Sequence, residues 1–256
     1  MHRTPDPLRQ PYGLLGLCLS LGGIAGLALV ITVAIGGCAA LVAGMTFGWR
    51  AVNGFLVDAT TPQQGEGVAP LRLVLGVALA GYLAIGIAIL AFARWRGGPH
   101  WRRLVGLGPM VWRLNDKVLW AIAAGALIYS VAATAVLGYF YPKSQSWFTV
   151  PSDRKAFLML FLLAVVLAPI TEELLFRGWI YTSLRFSFGL WPALVVSAAL
   201  FGLAHYENTH LYALAVFPMG LALAAIRERT GSVKASMLFH AFNNFIAFCA
   251  AALSTG

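Results

Sequence analysis

The chain has 256 residues, 60% hydrophobic and only 11% charged, with a mean hydropathy of +0.79 and a formal net charge of +9. A soluble domain carries about 25% charged residues, so this composition excludes one and implies several membrane-spanning helices. The positive charge does not read as a nucleic-acid surface, because five of the 18 arginines and lysines fall between Arg94 and Arg113 and Lys117 follows at once, as in a cytoplasmic loop.

Residues 1–12 are polar, carry three prolines and read as a soluble tail. From Tyr12 to Trp49 no residue is charged, which allows one long tilted helix or a tight pair, since one crossing needs about 20 residues. Residues 50–69 read as a polar loop, Leu71 to Phe92 as a second span, and Val118 to Tyr141 as a third. Tyr139, Phe140 and Tyr141 close that third span like an interfacial belt. Residues 13–141 thus form an N-terminal set of spans, and 142–256 a second set within one integral membrane domain. Cys18, Cys38 and Cys249 are scattered through apolar runs with no metal spacing and read as small buried hydrophobes.

After a polar loop from Pro142 to Lys155, a fourth helix begins near Ala156 and runs through Thr171-Glu172-Glu173 to about Leu184. Pro169 predicts a kink just before the two acids. Ser187 to Pro192 reads as a turn with Pro192 in the first turn of a fifth helix reaching Tyr206. A sixth spans Leu211 to Glu228, interrupted at Pro218 and stopped by Thr230-Gly231. Ser232 suits the N-cap of a seventh, which ends near Leu253. The expected fold is all-α, a polytopic bundle of seven or eight helices. If residues 13–49 cross once, thirteen of the 18 basic residues share the side of the N-terminus, which places that side in the cytoplasm.

Charge at membrane depth costs about 2.5 kcal/mol or more per group and marks function. Glu173 and Arg177 stand i,i+4 with the acid first, the favourable order for a helical ion pair. Glu172 lies about 100° round the helix and has no such partner. Two more polar intrusions follow: Phe201 with His205 in helix five, and His240 with Asn244 in helix seven, each pair one turn apart. Glu172 and His205 lie 16 to 17 residues either side of the turn at Phe188-Gly189. At about 1.5 Å per residue an antiparallel hairpin brings them level, whereas His240, only eight residues into helix seven, fits less well unless helix four overhangs with Tyr181 and Arg185.

The three motifs, Glu172-Glu173-x-x-x-Arg177, Phe201-x-x-x-His205 and His240-x-x-x-Asn244, resemble those of the CPBP family, the CAAX-protease and bacteriocin-processing intramembrane proteases. The resemblance covers roughly residues 150–250, and the first three spans show nothing specific to it. It implies an intramembrane endopeptidase in which Glu172 and His205 activate a water, His240 and Asn244 hold the oxyanion, and Glu173 with Arg177 orients the site. The chemistry agrees, because hydrolysis needs a general base and fixed donors where charge develops on the carbonyl oxygen. No cofactor is then needed. The alternative is a zinc enzyme in which Glu172, His205 and His240 are ligands, but that leaves no obvious general base.

There is no His-Glu-x-x-His motif, no Gly-x-Ser-Gly nucleophile and no pair of membrane aspartates. His210 and Glu207, in the loop after helix five, read as solvated. A transporter, or a scaffold or immunity protein on a protease fold, would also keep intramembrane charges, though no internal repeat is seen. The expected partners are the lipid bilayer and a protein or peptide substrate that is lipid-modified in some members. The expected location is a bacterial plasma membrane.

Overall fold

The computed structural model describes residues 14–47, 68–110, 115–140, 150–206 and 210–254. The tail, the loop at 50–67, Tyr141, most of the loop before Val150, and Glu207 lie outside the described residues, as does the side chain of His210. Among the described residues there are seven principal helices and no strands: α1 (Leu14–Phe47), α2 (Val68–Gly97), α3 (Lys117–Phe140), α4 (Arg154–Phe188), α5 (Leu190–Ala204), α6 (His210–Thr230) and α7 (Val233–Ser254). Six are long and apolar enough to cross a membrane. The seventh, α5, has 15 residues and is about 22 Å long, short of a hydrocarbon core of about 30 Å.

The run after Tyr12 forms one 34-residue helix, not a tight pair. Its inner stripe of Leu17, Ser20, Ile24 and Ala28 is buried, at the spacing of one helical face. Much of the rest is exposed apolar surface, including Leu19, Leu29, Val30 and Val33. Cys18 and Cys38, expected inside, lie on that outer surface, while Cys249 is half-buried and all three are free. A bilayer solvates such side chains, so burial in protein is not required of them.

The basic segment after helix two is more ordered than a loop. α2 continues to Gly97 and is extended by a 3₁₀ turn at Gly98–His100 and a helical turn at Trp101–Leu104, so Arg94, Arg96, Arg102 and Arg103 all sit on helix. Pro218 does not interrupt α6, which is continuous across it. Proline withholds the amide that would serve the Leu214 carbonyl, and the Tyr129 hydroxyl of α3 donates to the next carbonyl along, Ala215, at 3.0 Å.

α4 is the axis of the fold. It packs on α2, α5 and α7, and its Trp179 Nε1 donates to Ser20 Oγ of α1 at 2.8 Å. Two wide π-helical segments, Leu162–Leu167 and Leu174–Ile180, flank the regular turn Ala168–Glu173. Their register is explicit: Ala168 N bonds Leu163 O and Tyr181 N bonds Phe176 O, both five residues back. Pro169 follows the first wide segment, where widening eases the clash of its ring with the Val165 carbonyl. α5 and α6 cross at glycine: a Cβ on Gly220 would lie 3.0 Å from Ala198 Cα, and one on Gly202 would lie 2.8 Å from the Ala213 carbonyl.

At one end of the bundle the termini of α2, α4 and α6 meet the start of α7. Arg185 and Tyr181 both bond Glu228, Arg229 pairs with Asp116, and Val233 N donates to Gly106 O. The end of α4 therefore docks on α6. Ser232 does cap α7, its Oγ accepting from Lys234 N at 3.4 Å.

At the opposite end Asp153 caps α4 through Ala156 N at 2.8 Å and accepts from Arg72 Nε of α2 at 2.9 Å. The Arg72 guanidinium, with the Ala156 amide, holds the Asp153 carboxyl down at about 2. A depressed carboxylate stabilises the fold fully above its unfolded value near 4 and loses that contribution as pH falls towards 2. The thermal midpoints of wild type and Asp153→Asn in detergent should therefore differ by a constant amount above pH 5 and converge between about pH 4 and 2. A gap that stays constant down to pH 2 would contradict the charge-based account.

Candidate active site

The regular turn between the two wide segments of α4 presents its adjacent acids to different surroundings. Glu173 points into the bundle, and its side chain and that of Arg177 are both fully buried. Arg177 Nη1 donates to Glu173 Oε1 at 2.9 Å, the i,i+4 pair expected from the sequence. The arginine is held from two further sides. Nη2 donates to the Gly220 carbonyl at 2.8 Å, and the guanidinium carbon lies 4.3 Å from the centre of the Phe201 ring, a cation–π contact sheltered from solvent. Without a Cβ at Gly220, α6 comes close enough to offer that carbonyl.

Glu173 Oε1 also lies 3.1 Å from His240 Nδ1. An ionised carboxylate only accepts, so Nδ1 carries the proton and Nε2 faces away from Glu173. His205 is oriented in a parallel manner. It sits one residue beyond α5, and its Nδ1 lies 2.8 Å from the Phe201 carbonyl, an unpaired acceptor of the helix end. That carbonyl fixes the proton on Nδ1 and turns Nε2 inward. Phe201 spaces the two imidazoles, its ring centre 4.5 Å from that of His205 and 5.8 Å from that of His240.

Both Nε2 atoms converge on one oxygen. Glu172 Oε2 is 3.7 Å from His205 Nε2 and 3.9 Å from His240 Nε2. This oxygen is buried and has no hydrogen-bond partner among the described residues. The other, Oε1, accepts from the Tyr82 hydroxyl of α2 at 2.8 Å. His240 is thus level with Glu172 after all.

Asn244, one turn beyond His240, donates through Nδ2 to the Ala164 carbonyl in the first wide segment of α4, at 2.9 Å. Its other neighbour is Asn243, whose Nδ2 approaches Asn244 Oδ1 at 3.5 Å. The structure therefore gathers Glu172, Glu173, Arg177, His205 and His240 into one contact network. It sets Asn244 at the edge, bonded to backbone.

Tyr82 was not read from the sequence, and it comes from a span that showed nothing specific. The available signal was faint: a hydroxyl-bearing aromatic in the middle of an apolar run, away from the interfaces where tyrosine collects.

The spacing of these donors bears on zinc. Ligand atoms about 2.0–2.1 Å from a tetrahedral zinc lie about 3.3 Å from one another, and both separations from Glu172 Oε2 exceed that. Among the described residues no three His, Cys, Asp or Glu side chains come together closely enough to hold a metal. The set does not fit zinc as it stands.

Comparison with known proteins bears on the same half of the chain. Residues 154–246 match the sequence model of the family described as Type II CAAX prenyl endopeptidase Rce1-like. The resemblance read from the three motifs holds. The matched residues carry α4 to α7 and every polar group of the network except Tyr82. The chain is also 27% identical over 146 residues to an uncharacterized 24.3 kDa protein of Escherichia coli, covering 55% of this chain and 67% of that one. No solved structure matches. The similarity is thus to a family of CAAX-protease type over the second half of the chain, in a chain with six helices long and apolar enough to cross a membrane.

Removing Arg177 would strand the fully buried Glu173 carboxylate. Breaking a buried pair costs about 3–5 kcal/mol, so Arg177→Ala should lower the thermal midpoint in detergent sharply and reduce the yield of folded protein. An Arg177→Ala protein as stable as wild type would show that the pair does not hold the site.

Proposed function

We propose that the protein is an intramembrane endopeptidase in which Glu172 is the general base for a water attacking a peptide bond. The observation that carries this reading is the convergence of Glu172 Oε2, unbonded among the described residues, with the inward Nε2 atoms of His205 and His240. A water in hydrogen-bond reach of Oε2 and His205 Nε2 gives one proton to Oε2 while its oxygen bonds the scissile carbon. The carbonyl π electrons move onto oxygen. His240 Nε2–H and the second amide proton of Asn244 donate to that oxyanion, and Glu173 beside Nδ1 offsets the charge of a doubly protonated His240. Collapse of the tetrahedral species expels the amine, which takes the proton from Glu172. The net change is hydrolysis, and Glu172 returns to its ionised form.

The reading needs no metal. The substrate class is a membrane-associated protein or peptide, including lipid-modified ones. The end of the bundle that carries Arg94, Arg96, Arg102, Arg103, Arg185, Arg227 and Arg229 lies in the cytoplasm, with the N-terminus on that side because α1 is one helix. The membrane is a bacterial plasma membrane.

Glu172→Gln should keep the thermal midpoint within a few degrees and lose all turnover of a quenched-fluorescent, prenylated reporter peptide in proteoliposomes. Turnover by this variant would remove Glu172 from the mechanism. His240→Ala should retain a residual rate about 10²–10³ below wild type, the usual cost of one oxyanion donor. Loss beyond detection would instead suit a metal ligand. EDTA or phenanthroline should leave the wild-type rate unchanged, and metal analysis should find no stoichiometric zinc. One zinc per chain, removed together with activity, would overturn the assignment of Glu172 as base.

A further inference from the structure

The geometry points to Tyr82 of α2 as a positioning residue for Glu172, holding one carboxylate oxygen so that the other is the base. The proposal rests on the protease reading above, and it assigns a role to a residue outside the segment 154–246 that matches the protease family.

Glu172 has two oxygens and, among the described residues, one hydrogen-bond donor. That donor is the Tyr82 hydroxyl, 2.8 Å from Oε1. The terminal torsion of a glutamate is broad, so two anchored imidazoles facing a freely turning carboxylate would not define which oxygen takes the proton. The Tyr82 bond removes that freedom. Oε1 is engaged from the α2 side, and Oε2 is left presented to His205 and His240. The bond also restrains Glu172 from swinging towards Arg177, the nearest buried cation, which already serves Glu173.

Tyr82 is itself held in register. Thr171 Oγ1, on the residue before Glu172, donates to the Tyr82 carbonyl at 3.2 Å. α2 can approach this closely because its inward face is small: Ala84 and Ala88 have no exposure, and a Cβ on Gly86 would sit 3.3 Å from Thr171 Oγ1. Backbone of residue 82 and hydroxyl of residue 82 thus contact adjacent residues of α4. A tyrosine that only filled space would need neither contact.

The test uses full-length Tyr82→Phe, which keeps the ring and deletes the donor. Two readings are taken from protein in proteoliposomes. The first is the infrared carboxylate band of Glu172, isolated in ¹³C-glutamate-labelled protein by subtracting the Glu172→Gln spectrum. The second is steady-state cleavage of the prenylated reporter peptide. The expected result is a displaced Glu172 band and a kcat about tenfold to a hundredfold lower, the effect of one charge-assisted hydrogen bond. KM and the thermal midpoint should be unchanged. An unmoved band would overturn the contact, and a displaced band with unaltered kcat would overturn the positioning role. Failure of wild-type protein to cleave would instead count against the protease reading, with the infrared band still deciding the Tyr82 contact.

Discussion

The buried pair of Glu173 and Arg177 is the constraint on which the rest of this structure depends. Two oppositely charged groups with no exposure, in a protein surrounded by lipid, depend on polar or polarisable neighbours, and only Glu173 Oε2 and Arg177 Nε of this pair are left without a hydrogen-bond partner among the described residues. Arg177 is answered by Glu173, by the Gly220 carbonyl of α6 and by the Phe201 ring of α5; Glu173 is answered by Arg177 and by His240 of α7. One ion pair therefore fixes where four helices must lie. It also fixes the residue types at the crossings. Gly220 must lack a side chain for its carbonyl to come within reach, and residue 201 must be aromatic to cover the guanidinium.

The same pair explains how two adjacent glutamates have separate tasks. A step of one residue turns the side chain by about 100°. That turns Glu173 into the centre of the bundle and leaves Glu172 beside α2, facing the inward edges of the histidines. The two are not independent, because His240 bridges them: Nδ1 lies against Glu173 and Nε2 against Glu172. Any change in the Glu173 carboxylate is thus transmitted through one imidazole to Glu172. In the proposed mechanism such a network is pre-organised by the interaction that stabilises the fold, which keeps the reorganisation needed during reaction small.

How much of this was legible in the sequence depends on whether the partners lay on one helix. The Glu173–Arg177 pair was legible because i,i+4 spacing encodes contact. The levelling of Glu172 and His205 was legible because a hairpin converts residue counts into depth. Tyr82 was not, since its partner is 90 residues away and a single tyrosine in an apolar run resembles packing. Pro218 misled for the opposite reason. A soluble-helix rule predicts an interruption, but within a membrane bundle the cost of a broken helix exceeds the cost of a missing amide. The wide turns of α4 left no mark at all, because no residue pattern distinguishes an i→i+5 register from an i→i+4 one.

Those wide turns carry the last step of the synthesis. A π-helical segment leaves carbonyls poorly served by the regular register, and such groups are costly in a membrane unless a side chain takes them up. In the first segment the Ala164 carbonyl accepts from Asn244; in the second the Arg177 carbonyl accepts from Thr182 Oγ1 at 3.1 Å. Asn244 thus has a structural duty that the motif pattern alone does not reveal, spending one amide proton on the distortion that precedes Glu172. Its second proton is the one available to an oxyanion. In the proposed mechanism Asn244 acts by way of the wide turn, since the bond to Ala164 is what aims the rest of its amide. The distortion of α4 and the third motif are one device.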